Sequence, residues 1–189
     1  GYDDEWIKEA TEKRGLLNLK TTPDALPYFV SDKNIKLFTD LKVFTEAEMH
    51  SRYEILLENY CKTINIEALT MLDMANKDIL PAISAYCKSL SETIASKKSV
   101  LADCNCEYEE KTLRHLSALL ASAFENTNAL DKSLLEVKEI GSLQAQADYY
   151  KDKVFACMQQ LRATVDEAET ITAKSYWPYP SYSDLLFHV

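Results

Sequence analysis

Histidines are the first residues to test for chemistry in this chain, which contains three: His50, His115 and His188. A di-iron carboxylate bundle requires a Glu-x-x-His motif on two of its helices. Three residues before His50 stands Ala47, and three residues before His115 stands Thr112. The spacing therefore argues against a di-iron enzyme.

Two weaker readings of the histidines remain open. His50 and Glu54 are four residues apart on a predicted helix and could share a metal ion, although surface pairs at this spacing are routine. His115 could accept a phosphoryl group, as in histidine phosphotransfer modules. Those modules carry a lysine and a glycine soon afterwards, whereas the residues here are Leu116, Ser117 and Ala118.

Carboxylates and thiols add no complete motif. Glu67, Asp73 and Asp78 lie among apolar residues of one predicted helix, and we interpret them as the edge of its apolar face. The five cysteines are Cys61, Cys87, Cys104, Cys106 and Cys157. Cys104 and Cys106 form C-x-C rather than the C-x-x-C of redox and zinc sites. We predict no catalytic, cofactor-binding or metal-binding residue in the chain. Cys61, Cys87 and Cys157 are predicted to be small buried residues in a reducing cytoplasm, and Cys104 and Cys106 to have a structural or incidental role.

The composition favours an all-helical protein. Only three glycines occur in 189 residues, too few for the turns of a sheet protein or for a glycine-rich phosphate loop. The net charge of -9 argues against nucleic acid and against anionic membrane surfaces as partners. No apolar run approaches the ~18 residues of a membrane span. The first six residues lack the basic and apolar regions of a signal peptide.

Short elements are predicted before residue 42. Asp3 or Asp4 can cap a helix from about Glu5 to Arg14 that Gly15 ends. Residues 16–30 are predicted to be irregular because two prolines interrupt them. Ser31 can cap a second short helix that ends near Leu41.

Three long helices are predicted after that point. A Thr45-Glu46-Ala47-Glu48 capping box opens the first, which runs to about residue 97 and is expected to kink at Pro81. The second runs from about 107 to 139 with a 3-4 apolar spacing, and Gly141 is expected to end it at the C′ position. Ser142 can cap the third, from about 143 to 173. The prediction is an up-down-up bundle.

The last fourteen residues differ from everything before them. Two prolines, Pro178 and Pro180, argue against a helix, and the segment is too aromatic for a solvated end. We predict an extended tail that packs on the bundle or on a neighbour. The predicted divisions are therefore 1–42 for short helices and loops, 43–175 for the bundle and 176–189 for the tail.

Two stretches carry a resemblance to a known family. The first is VFTEAEMHSRYEILLENY at 43–60, followed by Asn65-Ile66-Glu67-Ala68 and Ile79-Leu80-Pro81-Ala82. The second is the tail, Tyr176-Trp177-Pro178-Tyr179-Pro180 through Asp184-Leu185-Leu186-Phe187. Together they closely resemble the C-terminal end of type III glutamine synthetase, the long-chain bacterial class. LLNLKTTPDALP at 16–27 resembles that family's exit from its catalytic domain.

The resemblance implies a role in nitrogen metabolism. The family joins glutamate and ammonia to make glutamine, using ATP and Mg²⁺ or Mn²⁺ at a site that lies upstream of this segment. No position here matches the metal-binding or substrate-binding residues of that site, so no catalytic residue is carried over. The family's enzymes resemble double-ringed dodecamers. The implied partners are the rest of the parent enzyme and neighbouring subunits of a homo-oligomer, with a structural role for this domain.

A different class of function stays open at this point. A free-standing helical scaffold or adaptor, with no link to a ligase, would show the same long helices and the same lack of catalytic motifs.

Overall fold

The chain is all-helical over residues 3–186, the part that the computed structural model describes, and no strand occurs there. Its helices are α1 (Asp4–Lys8), α2 (Thr22–Phe29), α3 (Asp32–Asp40), α4 (Glu46–Met74), α5 (Leu80–Val100), α6 (Glu107–Glu136), α7 (Leu143–Tyr149), α8 (Phe155–Ile171) and α9 (Tyr182–Leu186). Three π-helical turns, Glu9–Lys13, Ala75–Ile79 and Tyr150–Val154, and one 3₁₀ turn, Val137–Glu139, continue these helices.

The helices divide into two compact units. The first unit comprises Gly1–Thr63 and Ile140–Lys151, and the second comprises Ile64–Glu139 and Asp152–Val189. Each unit is built from two separate stretches of the chain, and the helical segments at 46–100 and 143–171 contribute residues to both. The predicted divisions at residues 42 and 175 stay predictions.

In the first unit, the opening helix follows the expected signals. The Asp3 carboxylate accepts a hydrogen bond from the Trp6 amide at 2.7 Å, which satisfies one of the unpaired donors of the first turn. A π-turn completes the helix, and Gly15 follows at φ +65°. A residue with a Cβ is strained in that left-handed conformation, so glycine suits this helix end.

Residues 22–29 correct the prediction of an irregular segment, because they form the helix α2. Pro23 stands in its first turn, where a missing amide hydrogen costs nothing and the fixed φ suits the helix. Thr21 caps the helix by accepting from the Asp24 amide at 3.4 Å. Pro27 lies inside the helix and removes the donor to the Pro23 carbonyl. The prolines were read as breakers, although one is at a favoured position and tertiary contacts compensate for the other.

The predicted capping box at Thr45 is confirmed. The Thr45 amide donates to Glu48 Oε2 at 2.8 Å, and the Glu48 amide donates to Thr45 Oγ1 at 3.3 Å. The bond from the Thr45 amide is the largest cause that lowers the pKa of Glu48, and a bond from the Thr45 hydroxyl to the same carboxylate adds to it. The reciprocal pair fixes where α4 begins.

Helical structure then continues to Val100 without a break, as predicted for one helix rather than two. Just before Pro81 the backbone widens into a π-turn in which the Leu80 amide donates to the Ala75 carbonyl, five residues back. Such turns adjust a helix where the regular hydrogen-bond ladder is interrupted. Ala75 and Ile79 stay buried through the turn. The bend at Pro81 stays a prediction.

The end of the next helix differs from the expectation at Gly141. A 3₁₀ turn at Val137–Glu139 ends α6, and Gly141 does not take the positive φ of a C′ glycine. A tightened last turn is an alternative way to satisfy terminal carbonyls. Ser142 caps α7 as expected, since its side chain accepts from the Ala145 amide at 3.4 Å.

In the second unit, α6 packs against both α5 and α8. The predicted 3-4 seam of α6 is buried at Leu116, Ala123, Thr127, Leu130, Leu134 and Val137. Thr127 satisfies its hydroxyl by donating to the Ala123 carbonyl at 2.7 Å. A core cluster of this unit contains Ile79, Ile83, Tyr86, Leu90, Leu116, Leu119 and Ala168. Burial of this seam is the main stabilising contribution to a helix of this length.

The tail is only partly as predicted, because Tyr182–Leu186 forms one helical turn, α9, instead of extended chain. The two prolines lie before it, where they do not interrupt its hydrogen bonds. Ser181 opens the turn: its amide donates to Asp184 Oδ2 at 2.9 Å, and its hydroxyl donates to the same oxygen at 2.6 Å. This S-x-x-D capping pattern is the sequence signal that the prediction missed.

Across residues 3–186, none of the helices combines the length and the apolar character that crossing a membrane requires.

Candidate functional site

The histidines with described structure lie on helix surfaces. His50 Nε2 is 4.0 Å from Glu46 Oε1, so its neighbour is the carboxylate one turn earlier and not Glu54. His115 Nε2 lies 2.9 Å from Glu167 Oε1, which links α6 to α8. His188 is outside the described residues. These contacts are ordinary surface pairs, with about half of each histidine side chain exposed.

The three carboxylates on the first long helix, Glu67, Asp73 and Asp78, are exposed. Asp73 forms an ion pair with Lys77, and Glu67 faces solvent. Asp78 accepts a hydrogen bond from the Tyr179 hydroxyl at 2.8 Å. Within residues 3–186, no group of three or more His, Cys, Asp or Glu side chains is placed to hold a metal ion.

Aromatic residues of the tail pack onto the core of the second unit. Tyr176, Trp177 and Tyr179 are half-buried against the cluster described above. The rings of Tyr86 and Tyr176 have centroids 5.2 Å apart at an interplanar angle of 39°, within the range of favourable aromatic pairs. Burial first, and then the bond to Asp78, raise the pKa of Tyr179 to about 12. This part of the tail is therefore covered by its own unit.

The end of the tail behaves differently. Tyr182, Leu185 and Leu186 are 83%, 64% and 71% exposed. An ion pair between Lys174 and Asp184 at 2.5 Å holds the turn that presents them, and together with the Ser181 bonds it lowers the pKa of Asp184. Phe187 is outside the described residues. The α9 turn therefore exposes apolar side chains a few residues after the half-buried aromatic residues Tyr176, Trp177 and Tyr179.

A second exposed apolar surface lies on the first unit. Large hydrophobic side chains there face solvent at Leu16, Leu17, Leu37, Leu41, Val43, Ile55 and Leu56. Leu37 is 48% exposed and Leu41 is 65% exposed, and four residues separate them on α3 and its C-cap. Exposed apolar side chains one helical turn apart, such as Leu37 and Leu41, are found on surfaces that bind another protein segment.

One polar network of the first unit was not found from the sequence. Gln144 Nε2 donates to the Pro23 carbonyl at 3.1 Å and to Asp148 Oδ1 at 3.2 Å. Its Oε1 accepts from the Tyr53 hydroxyl at 2.6 Å. The Pro23 carbonyl is the acceptor that Pro27 leaves unpaired inside α2, so Gln144 supplies the missing donor. No local sequence pattern predicts a contact between Gln144 and Pro23, which are far apart in the chain.

An ion pair ties the same elements together. Lys151 Nζ lies 2.7 Å from Asp24 Oδ1. Its hydrogen bond is the main cause that lowers the pKa of Asp24. The network therefore stabilises the docking of α2 beside α7.

Comparison with known proteins shows which family this chain belongs to. Residues 1–98 match the family described as the glutamine synthetase C-terminal domain. The chain belongs to that family. Over 99% of its length it is 47% identical to a glutamine synthetase of Butyrivibrio fibrisolvens and 34% identical to the type-3 glutamine synthetase of Dictyostelium discoideum. A glutamine synthetase of Bacteroides fragilis is 25% identical over the same share.

The glutamine synthetase relatives are much longer than this chain. It spans 27% of the Butyrivibrio protein and 26% of each of the other two. The resemblance read from residues 43–60 and from the tail is confirmed, and the family match extends over the whole N-terminal half.

Proposed function

We propose that this chain is the non-catalytic, structural C-terminal domain of a glutamine synthetase, an ATP-dependent glutamate–ammonia ligase. The observation that carries the proposal is the family match together with the chain's small share of its relatives' length. Relatives named glutamine synthetases align with 99% of this chain, which favours a domain of such an enzyme over a free-standing scaffold.

The parent's chemistry belongs, in this proposal, to residues outside this chain. ATP and Mg²⁺ or Mn²⁺ are bound by the remaining part of the enzyme, and the residues of this chain make no contact with them. The surface pairing of His50 and His115 with single carboxylates supports a structural assignment for both. The parent protein is proposed to be cytoplasmic, which agrees with free thiols at all five cysteines.

The proposed partners are the rest of the parent polypeptide and neighbouring subunits of a homo-oligomer. The exposed apolar side chains of the first unit and of the α9 turn support this, because their burial against a partner is favourable at ~25 cal/mol per Å². Nucleic acid and membranes are not proposed as partners, since the net charge is -9.

We also propose that the three long helices form an up-down-up bundle with a bend at Pro81 and with the aromatic tail packed on it. Within the second unit, Lys97 pairs with Glu109 across the α5–α6 connection. Asn126 donates to Thr164 Oγ1 at 3.1 Å between α6 and α8.

The first experiment separates structure from catalysis. The isolated chain is tested in a γ-glutamyl hydroxamate assay with ATP and Mg²⁺, beside the full-length enzyme. We expect turnover only from the full-length enzyme. Turnover by the isolated chain would reject the non-catalytic assignment.

The second experiment tests assembly. Residues 43–189 are deleted from the full-length enzyme, and the mass is measured by light scattering. We expect a smaller particle. An oligomer of unchanged subunit number would reject the assembly role.

Point variants sharpen the second test. Leu37→Gln combined with Leu41→Gln removes apolar surface from α3 and its C-cap. Lys36→Gln on the same helix is the control, because that side chain is exposed, polar and on a different helix face. We expect the leucine variant to weaken subunit association while the lysine variant leaves it unchanged. Equal behaviour of the two variants would exclude this face as part of the interface.

A further inference from the structure

The connection between α5 and α6 holds two thiols close together. Cys104 Sγ and Cys106 Sγ are 3.4 Å apart. Cys106 is only 3% exposed, whereas Cys104 is half-buried and reachable from solvent. An accessible thiol therefore lies beside a buried one. In such a pair the accessible thiol can form a mixed disulfide, and the buried thiol can then displace it to form a disulfide within the protein.

The surroundings of Cys106 act on its thiol in opposite directions. Cys106 is the N-cap of α6, a helix of 30 residues whose N-terminus carries partial positive charge. Lys97 and Lys98, at the end of α5, act electrostatically on both thiols. The hydrogen bond with Cys104 is the largest cause raising the pKa of Cys106, and burial adds to it. The buried sulfur thus holds its proton beside its more accessible neighbour.

Metal binding explains the pair less well. Zinc sites use four ligands from cysteine, histidine and carboxylate side chains. Throughout residues 3–186, these two sulfurs belong to no group of three or more such ligands.

We propose that Cys104 and Cys106 form a reversible dithiol–disulfide site whose oxidant is a low-molecular-weight disulfide. Closing the bond requires the sulfurs to approach from 3.4 Å to about 2.05 Å. The thiols lie at the irregular connection, where no helical ladder fixes Cys104. Two cysteines separated by one residue close a small ring, and strained or exposed disulfides are readily reduced again.

The reaction balances in two exchange steps. The Cys104 thiolate attacks one sulfur of the oxidant RS–SR, forming Cys104–S–SR and releasing RS⁻, which takes a proton from water. Cys106 then loses its proton to solvent, and its thiolate attacks Cys104 Sγ. The protein disulfide forms, and the second RS⁻ leaves and takes a proton from solvent, which replaces the one that Cys106 released. Two protein thiols are oxidised, and one RS–SR is reduced to two RSH.

Oxidised and reduced glutathione in defined ratios test the proposal on the full 189-residue chain. After each equilibration, free thiols are trapped with an alkylating reagent and the intact mass is measured. We expect alkylation to fall by two thiols, with peptide mapping placing the disulfide within residues 104–106. Single variants assign the roles. Cys106→Ser should stop at a mixed disulfide on Cys104, and Cys104→Ser should react about tenfold more slowly because Cys106 is buried.

A matched variant isolates the pair. Cys61→Ala, Cys87→Ala and Cys157→Ala together leave only the two proposed thiols, and this variant should lose the same two alkylation sites. Should that variant fail to fold, the wild-type peptide map carries the test. The proposal is overturned if both thiols stay alkylatable in oxidised glutathione alone, if a glutathione adduct persists on wild-type Cys104, or if the oxidised bond joins other cysteines.

Discussion

Replacing Gln144 with leucine tests how a helix tolerates a proline in its interior. Gln144 makes three hydrogen bonds in the first unit: to the Pro23 carbonyl at 3.1 Å, to Asp148 at 3.2 Å, and from the Tyr53 hydroxyl at 2.6 Å. Leucine is similar in size but cannot donate or accept. The substitution leaves a partly buried carbonyl and a partly buried hydroxyl without their partners.

The expected loss in the free energy of unfolding depends on how deeply the partners of Gln144 are buried. A buried polar group that loses its partner costs about 1–3 kcal/mol, whereas an exposed group recovers a bond to water. Asp148 is 43% exposed, so its contribution is small. The Pro23 carbonyl and the Tyr53 hydroxyl are partly buried and should each contribute about 1 kcal/mol. The expected loss in the free energy of unfolding is therefore about 2 kcal/mol.

A double-mutant cycle isolates the proline. Pro27 is exposed, so Pro27→Ala changes little packing but restores an amide hydrogen four residues after the Pro23 carbonyl. In that background the carbonyl has a helical partner, and Gln144→Leu should cost about 1 kcal/mol less than in the wild type.

Urea unfolding monitored by circular dichroism, combined with amide hydrogen exchange of α2, measures all four corners of the cycle. Gln159→Leu is the control because Gln159 is exposed, and its effect should stay within about 0.5 kcal/mol. A Gln144→Leu cost that is equal in both backgrounds, within about 0.3 kcal/mol, would refute the compensation.

Three further predictions concern the tail, a helix start and the core. The pKa of Tyr179 is raised to about 12 in the folded state, so the stability that its protonated hydroxyl contributes is complete below pH ~10, the ordinary tyrosine pKa, and is lost as the pH rises towards 12. Tyr179→Phe should make this loss smaller when the free energy of unfolding is measured by urea titration at several pH values. Thr45→Ala should cost about 1 kcal/mol in unfolding free energy by removing the cap, whereas Thr63→Ala, exposed within the same helix, should cost far less. Leu116→Ala should cost about 2–5 kcal/mol by leaving a cavity at a side chain with 0% exposure, and a thermal shift smaller than that of Thr45→Ala would contradict this.

Local patterns predicted a large part of this fold. The capping box at Thr45, the Ser142 cap and the seam of α6 follow from rules that act within one turn or along one helix face, and each is confirmed. The wrong predictions concern segments with prolines, where the rule that proline interrupts a helix competes with helix-capping signals. Helix α2 forms despite two prolines, and α9 forms directly after two others.

The candidate surfaces were harder to predict because exposure is a property of the folded chain. The aromatic tail was recognised as apolar, yet the sequence did not separate the half-buried Trp177 from the exposed Leu186. Both residues are hydrophobic, and only their neighbours in space distinguish them. The same holds for Leu37 in α3 and Leu41 at its C-cap, whose spacing of four residues does not indicate what covers them.

By itself, the sequence determined the helical class, most helix starts and the family, because spacing and capping are encoded within a few residues of each other. The tertiary structure decided which carbonyl Gln144 satisfies, which half of the tail is covered, and that Cys104 and Cys106 place their sulfurs 3.4 Å apart. The physical reason is the same in each case. Hydrogen-bond satisfaction, burial and thiol proximity depend on three-dimensional neighbours, and a one-dimensional pattern specifies those only where the chain is locally regular.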